Sequence, residues 1–289
     1  MPRSFPISIG ILTVALLFIE PTVVHGRDAI DRVEFEKMTW VEVKNALAAS
    51  KTTALIYTGG VEERGPQNVN GGHNLMAHAT VEAIARKLGN AIYLPVLPYS
   101  PNAADPTFPG TIGITDELLR AILIRLSEQS IVNGFKTVVL LGDHGGGQPV
   151  VYASVAHQLD EQYGSQGVHV YYCDQVYKVN ADFDRYLTEH EFPPSLHGGV
   201  SDTSEMLYLD HDHSWVRSSE LKQAIGSPVV NGRPAIGPEG PKNGIIGDAR
   251  RSTAALGRLL FQRKVDSAVT QIREFQANAA KKRPLPGER

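Results

Sequence analysis

The sequence predicts an α/β protein, a three-layer α/β/α sandwich around a mostly parallel sheet. Two observations favour this fold. Apolar runs bounded by glycine or proline alternate with amphipathic stretches four times, and no hairpin signal joins one apolar run to the next. The runs are also apolar on both faces, as strands must be when helices cover both sides of a parallel sheet.

The composition is that of an ordinary globular protein. Hydrophobic residues make up 42% and charged residues 20% of the 289 residues, which argues against disorder, collagen-like repetition and a multi-pass membrane protein. The formal net charge of −3 provides no basic surface for nucleic acid. The single cysteine, Cys173, excludes an intrachain disulfide, so any metal site has to use histidine and carboxylate ligands.

The first 26 residues predict a secretory signal peptide rather than part of the fold. Arg3 precedes an apolar run over 7–19, and Val24-His25-Gly26 resembles a cleavage site. The alternatives are a buried N-terminal helix or an uncleaved anchor, although the run is short for a membrane span. We therefore expect a mature domain over 27–289 that is periplasmic or secreted and has no stable membrane span after cleavage.

The first predicted elements are two strands and the helix between them. The run 53–58 is short and apolar and ends at a glycine pair, which indicates a strand. Residues 74–88 place apolar side chains at helical spacing, and Gly89 ends that helix. Residues 91–97 then predict a second strand that ends at Pro98.

The next elements continue the alternation. Thr115 is placed to cap a helix that runs to about Asn133 and has two acidic residues in its first turn. The β-branched run 136–141 predicts a strand, 148–163 a helix and 168–173 another strand, with Cys173 in the core. A short helix over 202–209 and a long C-terminal helix over 252–280 complete the pattern.

Parallel α/β sheets bind ligands just beyond the carboxyl ends of their strands. Glu62 and His73 follow the first predicted strand, and His144 follows the third. A carboxylate and two imidazoles form a plausible ligand set for zinc or a similar divalent ion, with a fourth position open to water. The alternative is ordinary glycine-rich turns with polar residues, because no compact motif such as H-E-x-x-H is present.

Other catalytic patterns receive less support. The run from His144 to Gly147 resembles the oxyanion loop of esterases, but no G-x-S-x-G nucleophile motif accompanies it, and no nucleotide-binding glycine motif is present. His157 and His169 are interpreted as structural, and residues 210–213 as a solvated loop rather than a metal cluster. His197 precedes a glycine pair and a short helix, so it is a candidate catalytic residue.

Several separated segments resemble the creatininase (creatinine amidohydrolase) family, in order and in spacing, over roughly 38–275. Residues 60–66 and 71–73 are similar to the family's S-x-E-Q-H-G-P-x-x-x-x-G-T-D, 108–111 to F-P-G-T, 142–147 to N-G-H-G-G-N, 197–204 to H-A-G-x-x-E-T-S, and 244–248 to G-V-x-G-D. The resemblance implies an α/β/α sandwich, a mono- or binuclear zinc or manganese site, amide C–N bond hydrolysis, and a homo-oligomer, commonly a hexamer.

The resemblance also assigns roles to residues. It places Glu62 and His144 at family ligand positions and His197 at that of the catalytic histidine, while Asp202 replaces the glutamate of E-T-S. The departures are His73, where the family has a metal-bridging aspartate, and Arg64, where it has a histidine ligand of the second metal. A guanidinium does not ligate metal because it is always protonated.

These departures suggest a mononuclear site of Glu62, His73 and His144, with one divalent ion, zinc or alternatively manganese or iron. Arg64 would supply the positive charge of the missing second ion and, with the metal, stabilise the oxyanion. His197 would protonate the leaving nitrogen, and Asp202 would orient His197, act as a base or add a ligand. A decayed site that binds no metal is the alternative.

The function expected from these assignments is hydrolysis of a small cyclic or linear amide by metal-activated water. Creatinine itself is doubtful as the substrate, because ligands of the second metal are missing. Two alternatives remain: a secreted ligand-binding pseudoenzyme on the same scaffold, and a metallopeptidase that acts on a small peptide.

Overall fold

The computed structural model describes residues 32–235 and 242–281. The predicted signal peptide, 1–26, lies outside the described residues. None of the described helices is long and apolar enough to cross a membrane.

A four-stranded, fully parallel sheet forms the centre of the molecule, as predicted. Its strand order is β2-β1-β3-β4. A separate antiparallel ribbon, β5–β6, was not predicted. The strands are β1 (Thr53–Thr58), β2 (Ala91–Tyr93), β3 (Thr137–Gly142), β4 (His169–Tyr172), β5 (Val229–Val230) and β6 (Arg233–Pro234).

Seven α-helices accompany the strands in the described ranges. Five match predicted helices to within two residues at either end, and α1 and α5 were not predicted. The helices are α1 (Trp40–Ala48), α2 (Gly72–Leu88), α3 (Asp116–Val132), α4 (Gln148–Tyr163), α5 (Gln175–Glu189), α6 (Val200–Leu209) and α7 (Ala254–Lys281).

The second strand is shorter than the predicted 91–97. Two residue steps along β1, from Leu55 to Tyr57, lie opposite three steps along the second segment, from Leu94 to Leu97, and this extra residue interrupts the regular pairing after Tyr93. Pairing with β1 resumes where the Leu97 N–H donates to the Tyr57 carbonyl over 3.0 Å. The chain after β2 therefore still reaches the same edge of the sheet.

Both faces of the sheet are buried, because successive side chains of a strand point to opposite sides. On one face Leu55 and Tyr57 of β1 pack with α2 and α7. On the other face Ala54 and Ile56 pack with α1, α3 and α4. Cys173 is fully buried in the first layer, as predicted. The three-layer arrangement explains why the strands carry no polar face.

The strand order also fixes where a ligand can bind. From β1 the chain moves to β2 on one side, and β3 returns to the other side of β1. At such a switch point the connections leave in opposite directions and open a crevice at the carboxyl ends of the strands. The segments after β1 and β3 border this crevice.

Helices α6 and α7 approach each other closely at a glycine. A Cβ atom on Gly257 would lie 1.8 Å from the Ser204 carbonyl oxygen, so the two backbones touch there without an intervening side chain. This contact brings the first turn of α7 against α6.

We predict that Gly257→Ala lowers the free energy of unfolding by about 1–3 kcal/mol, because the added methyl group forces the two helices apart. Urea unfolding of the purified protein measures this change. Gly71→Ala is the matched control, since a Cβ there meets no atom within 4 Å. Equal stability of the two variants would contradict the close contact.

Candidate metal centre

Three side chains converge at the crevice. Glu62 lies in the turn after β1, His73 in the first turn of α2, and His144 two residues beyond β3. All three are buried, and one potential ligand atom from each lies within 4.8 Å of the others. The structure thus brings together the three ligands that the sequence suggested.

The Glu62 carboxylate holds both imidazoles. Its Oε1 lies 2.9 Å from His73 Nε2, and its Oε2 lies 2.8 Å from His144 Nε2. Burial alone would raise the pKa of Glu62, but the hydrogen bonds and positive charges of His144 and His73 outweigh it and hold the pKa far below its usual value. Glu62 is therefore an ionised carboxylate with two Nε2 atoms facing it.

The second ring nitrogen of His73, Nδ1, contacts a carboxylate on the side away from Glu62. Nδ1 lies 3.1 Å from Asp143 Oδ1, an arrangement that keeps a proton on Nδ1 and directs Nε2 to the centre. Burial and Arg64 lower the pKa of His73, but Asp143 and Glu62 outweigh them and raise it to about 9. A metal that binds Nε2 has to displace a proton from this ring.

His144 is held differently. Its Nδ1 accepts the Gly146 amide N–H over 3.0 Å. A neutral imidazole that binds metal through Nε2 carries its proton on Nδ1. The Gly146 amide would therefore have to turn away before His144 could ligate an ion through Nε2, and the glycines at 145 and 147 give this segment the freedom to do so.

Arg64 stands beside the three candidate ligands. Its side chain is 1% exposed, and its Nη2 lies 2.6 Å from Asp202 Oδ1. Its Nε lies 3.9 Å from Glu62 Oε1. Burial would lower the pKa of Arg64, but Asp202 and Glu62 outweigh it and raise it, so the positive charge is permanent. The positive charge that the sequence predicted thus lies beside the candidate ligands.

His197 reaches the same cavity from the segment before α6. Its Nε2 donates to the Glu63 carbonyl oxygen over 2.7 Å, and its Nδ1 lies 3.8 Å from Glu62 Oε1. Asp202 does not bond to this ring. It accepts from Arg64 and, over 2.8 Å, from the Gly198 backbone N–H, so it holds Arg64 and the turn that carries His197.

The candidate ligands line a cavity of about 360 Å³. Residues that follow each of the four parallel strands contribute to its wall, which confirms the position expected from the sheet topology. Tyr177 and Asp184 of α5 close the side beyond β4. Burial raises the pKa of Asp184 to about 7, so this wall changes charge near neutral pH.

Two polar residues that form hydrogen bonds to the candidate ligands were missed in the sequence. Asn102, beyond β2, donates from Nδ2 to Glu62 Oε2 over 2.9 Å. Asp143 precedes His144 directly, and its place at a strand end was the available signal. Both belong to segments in which the sheet topology alone predicts ligands.

His157 and His169 lie outside the cavity, as the sequence suggested, and the segment 210–213 needs one correction. His157 is exposed on α4, and His169 pairs with Asp160, so both are structural. The segment 210–213 is an exposed loop except for Asp210. That residue is buried and accepts the backbone N–H groups of 214, 215 and 216, so it organises the turn.

Comparison with known proteins agrees with this architecture. The creatininase family model, described as creatinine amidohydrolase, matches residues 36–272. A mycofactocin precursor peptide peptidase from Mycolicibacterium smegmatis is 24% identical over 231 residues, covering 77% of this chain and 85% of the peptidase.

Solved creatininase structures share the fold. A mutant creatininase complexed with creatine aligns with a TM-score of 0.69 and 20% identity over 84% of this chain and 98% of that chain. A mutant creatininase of the Zn-Zn type aligns with a TM-score of 0.68 and 21% identity over the same shares, 84% and 98%. The predicted α/β/α sandwich is therefore confirmed.

We predict that divalent metal binding releases one proton from His73. Because its pKa is about 9, the ring is protonated at neutral pH. The apparent affinity should therefore rise about tenfold per pH unit between about pH 6.5 and 8.5 and level off above pH 9. Chelator-competition titrations with zinc measure this slope. An affinity independent of pH would contradict the assignment, and His169→Ala should leave the slope unchanged.

Proposed function

This chain belongs to the creatininase family, whose model matches residues 36–272, and we propose that it is a metal-dependent hydrolase of a small cyclic or linear amide. The convergence of Glu62, His73 and His144 at one cavity carries the proposal. Their chemistry fits a divalent cation, since each offers an oxygen or imidazole nitrogen donor and the ligand atoms lie within 4.8 Å of one another.

We propose that the site holds one ion, zinc in the first instance, with manganese or iron as alternatives. A divalent ion at this place supplies Lewis acidity and an activated water. Arg64 stands where the family has a ligand of a second metal, and its guanidinium supplies a positive charge instead. The Zn-Zn creatininase has the same fold, and this chain differs from the family pattern at Arg64 and His73.

Arg64, Asp202 and His197 have separate roles in the proposed reaction. Arg64 stabilises negative charge that develops on the carbonyl oxygen, chiefly through its field, because its side chain is almost completely buried. Asp202 keeps Arg64 in place. His197 holds a proton for the leaving nitrogen at Nδ1, the ring atom on the Glu62 side.

The environment of His197 suits that role. Burial lowers the pKa of His197, but the hydrogen bond to Glu63 and the charge of Glu62 outweigh it and raise the pKa above its usual value. The ring is therefore a ready proton donor near neutral pH. The hydrogen bond from Nε2 to the Glu63 carbonyl keeps the opposite nitrogen turned to Glu62.

A peptidase is the second candidate. The relative that is 24% identical over 231 residues is a mycofactocin precursor peptide peptidase. The same ligands and proton donor would serve a peptide bond, so the substrate rather than the site distinguishes the two functions. The third possibility, a binding protein without turnover, would keep the cavity and the metal and lack hydrolysis.

Two expectations stay predictions. Residues 1–26 predict a signal peptide and hence a periplasmic or secreted protein. Family resemblance predicts a homo-oligomer, possibly a hexamer.

We predict one metal ion per chain and loss of hydrolysis in His144→Ala, because that variant removes one of three ligands. Metal analysis of the purified protein and a screen of cyclic amides, linear amides and short peptides test this. His169→Ala is the matched control, since His169 lies outside the cavity. Two ions per chain would contradict the mononuclear site, and full activity without metal would contradict the mechanism.

The same screen separates the alternatives. Cleavage of peptides but not of amides would identify a peptidase. Stoichiometric metal binding with no turnover of any compound would favour a binding protein.

We predict that His197→Gln lowers kcat about 10²–10⁴-fold, the usual contribution of a general acid, and leaves the metal content at the wild-type value. Steady-state kinetics on a substrate found in the screen, together with metal analysis, measure both quantities. A substrate with a good leaving group should recover much of the lost rate, since it needs no proton. An unchanged kcat would remove His197 from the reaction.

A further inference from the structure

A buried row of titratable side chains extends from His73 away from the cavity. Asp143 contacts His73 through Oδ1, and its Oδ2 lies 3.2 Å from Lys264 Nζ. Lys264 Nζ in turn lies 2.6 Å from Glu205 Oε2. The side chains of Asp143, Lys264 and Glu205 are each 1% exposed, so solvent does not screen these contacts.

The four members come from four different elements. His73 belongs to α2, Asp143 follows β3, Glu205 lies on α6 and Lys264 on α7. Lys264 lies next to Val265 on the face of α7 that packs into the core, where an apolar residue is expected. A buried ammonium group is unfavourable unless it is paired, and replacement of a whole buried ion pair by apolar residues often stabilises a fold.

The geometry indicates that the Lys264 ammonium group fixes the orientation of the Asp143 carboxylate. Both Asp143 oxygens are engaged, one by an imidazole and one by an ammonium group, so the carboxylate cannot rotate. A fixed carboxylate fixes the plane of the His73 ring and keeps its proton on Nδ1. Glu205 holds the ammonium group from the other side. The orientation of His73 Nε2 thus depends on Lys264 and Glu205, which do not line the cavity.

We propose that Lys264 and Glu205 are positioning residues for metal binding, which act through Asp143 to present Nε2 of His73 to the ion. This inference rests on the proposed function, because it requires His73 to be a ligand. The row of His73, Asp143, Lys264 and Glu205 then serves the site and not only the packing of α6 against α7.

The test begins with Asp143→Asn, which keeps the size of the side chain. The Lys264 ammonium group attracts the amide oxygen, so the NH₂ group faces His73 and favours the tautomer with the proton on Nε2. That tautomer cannot ligate through Nε2. We expect the affinity for Co²⁺, measured by absorption titration of the purified protein, to fall about 10–100-fold.

The second variant adds Lys264→Met and Glu205→Gln to Asp143→Asn. With the ammonium group gone, the amide oxygen is free to face His73 Nδ1, and the favourable tautomer returns. We expect about tenfold of the lost Co²⁺ affinity to be recovered. If these residues only stabilised the fold, the triple variant would bind Co²⁺ more weakly than Asp143→Asn, since three substitutions in the core disturb the packing more than one does.

The matched control is Lys87→Met with Asp266→Asn. This lysine–carboxylate pair also joins α2 to α7, but it lies on the surface. Its removal should leave the Co²⁺ affinity unchanged. Thermal unfolding of every variant shows that each is folded before it is titrated.

Each outcome of these titrations either supports or overturns the inference. Wild-type affinity in Asp143→Asn, or no recovery in the triple variant, overturns the inference while the proposed function stands. Failure of the wild-type protein to bind Co²⁺ overturns both. If the triple variant does not fold, ¹⁵N NMR of His73 in Asp143→Asn decides: a proton on Nε2 of the neutral ring supports the inference, and a proton on Nδ1 overturns it.

Discussion

The candidate site depends on the two contacts that the Glu62 carboxylate makes with imidazole rings. This carboxylate joins His73 to His144, and these residues lie in segments that follow two different strands. The contacts are possible because β1 and β3 are parallel neighbours with Thr58 opposite Gly142, so both chains leave the sheet at the same edge. Helices on both faces hold the two strands in register. The sheet thus sets the relative positions of the segments that carry Glu62, His73 and His144.

Two departures from the family pattern compensate for each other in charge. The family motif has glycine at the position of Asp143, and an aspartate at the position of His73. In this chain the carboxylate remains, but it lies one imidazole ring further from the centre. Arg64 brings a cation to a position where the family has a neutral ligand, and it pairs with Asp202, where the family also has a carboxylate. The local charges are therefore redistributed rather than lost.

The four strands of the parallel sheet, five of the helices and the convergence of the three candidate ligands could be predicted because each depends on a short pattern. Apolar runs and glycine stops are local, and the rule that ligands lie at strand ends needs only the strand positions. The α1 helix carried a local signal too, a Thr39–Glu42 capping box, which was missed. The partner of Asp143 could not be predicted in this way. Lys264 lies 121 residues further along the chain, and no local pattern links the two.

The hydrogen bond from Gly146 to His144 has a consequence for how an ion would enter. His144 accepts this N–H at Nδ1, so a backbone peptide must rotate before the ring can take its place in the coordination sphere. Loading would then be a conformationally gated process with a rate that stops increasing at high ion concentration. The backbone of residues 145–147 would in that way set the speed at which the site fills.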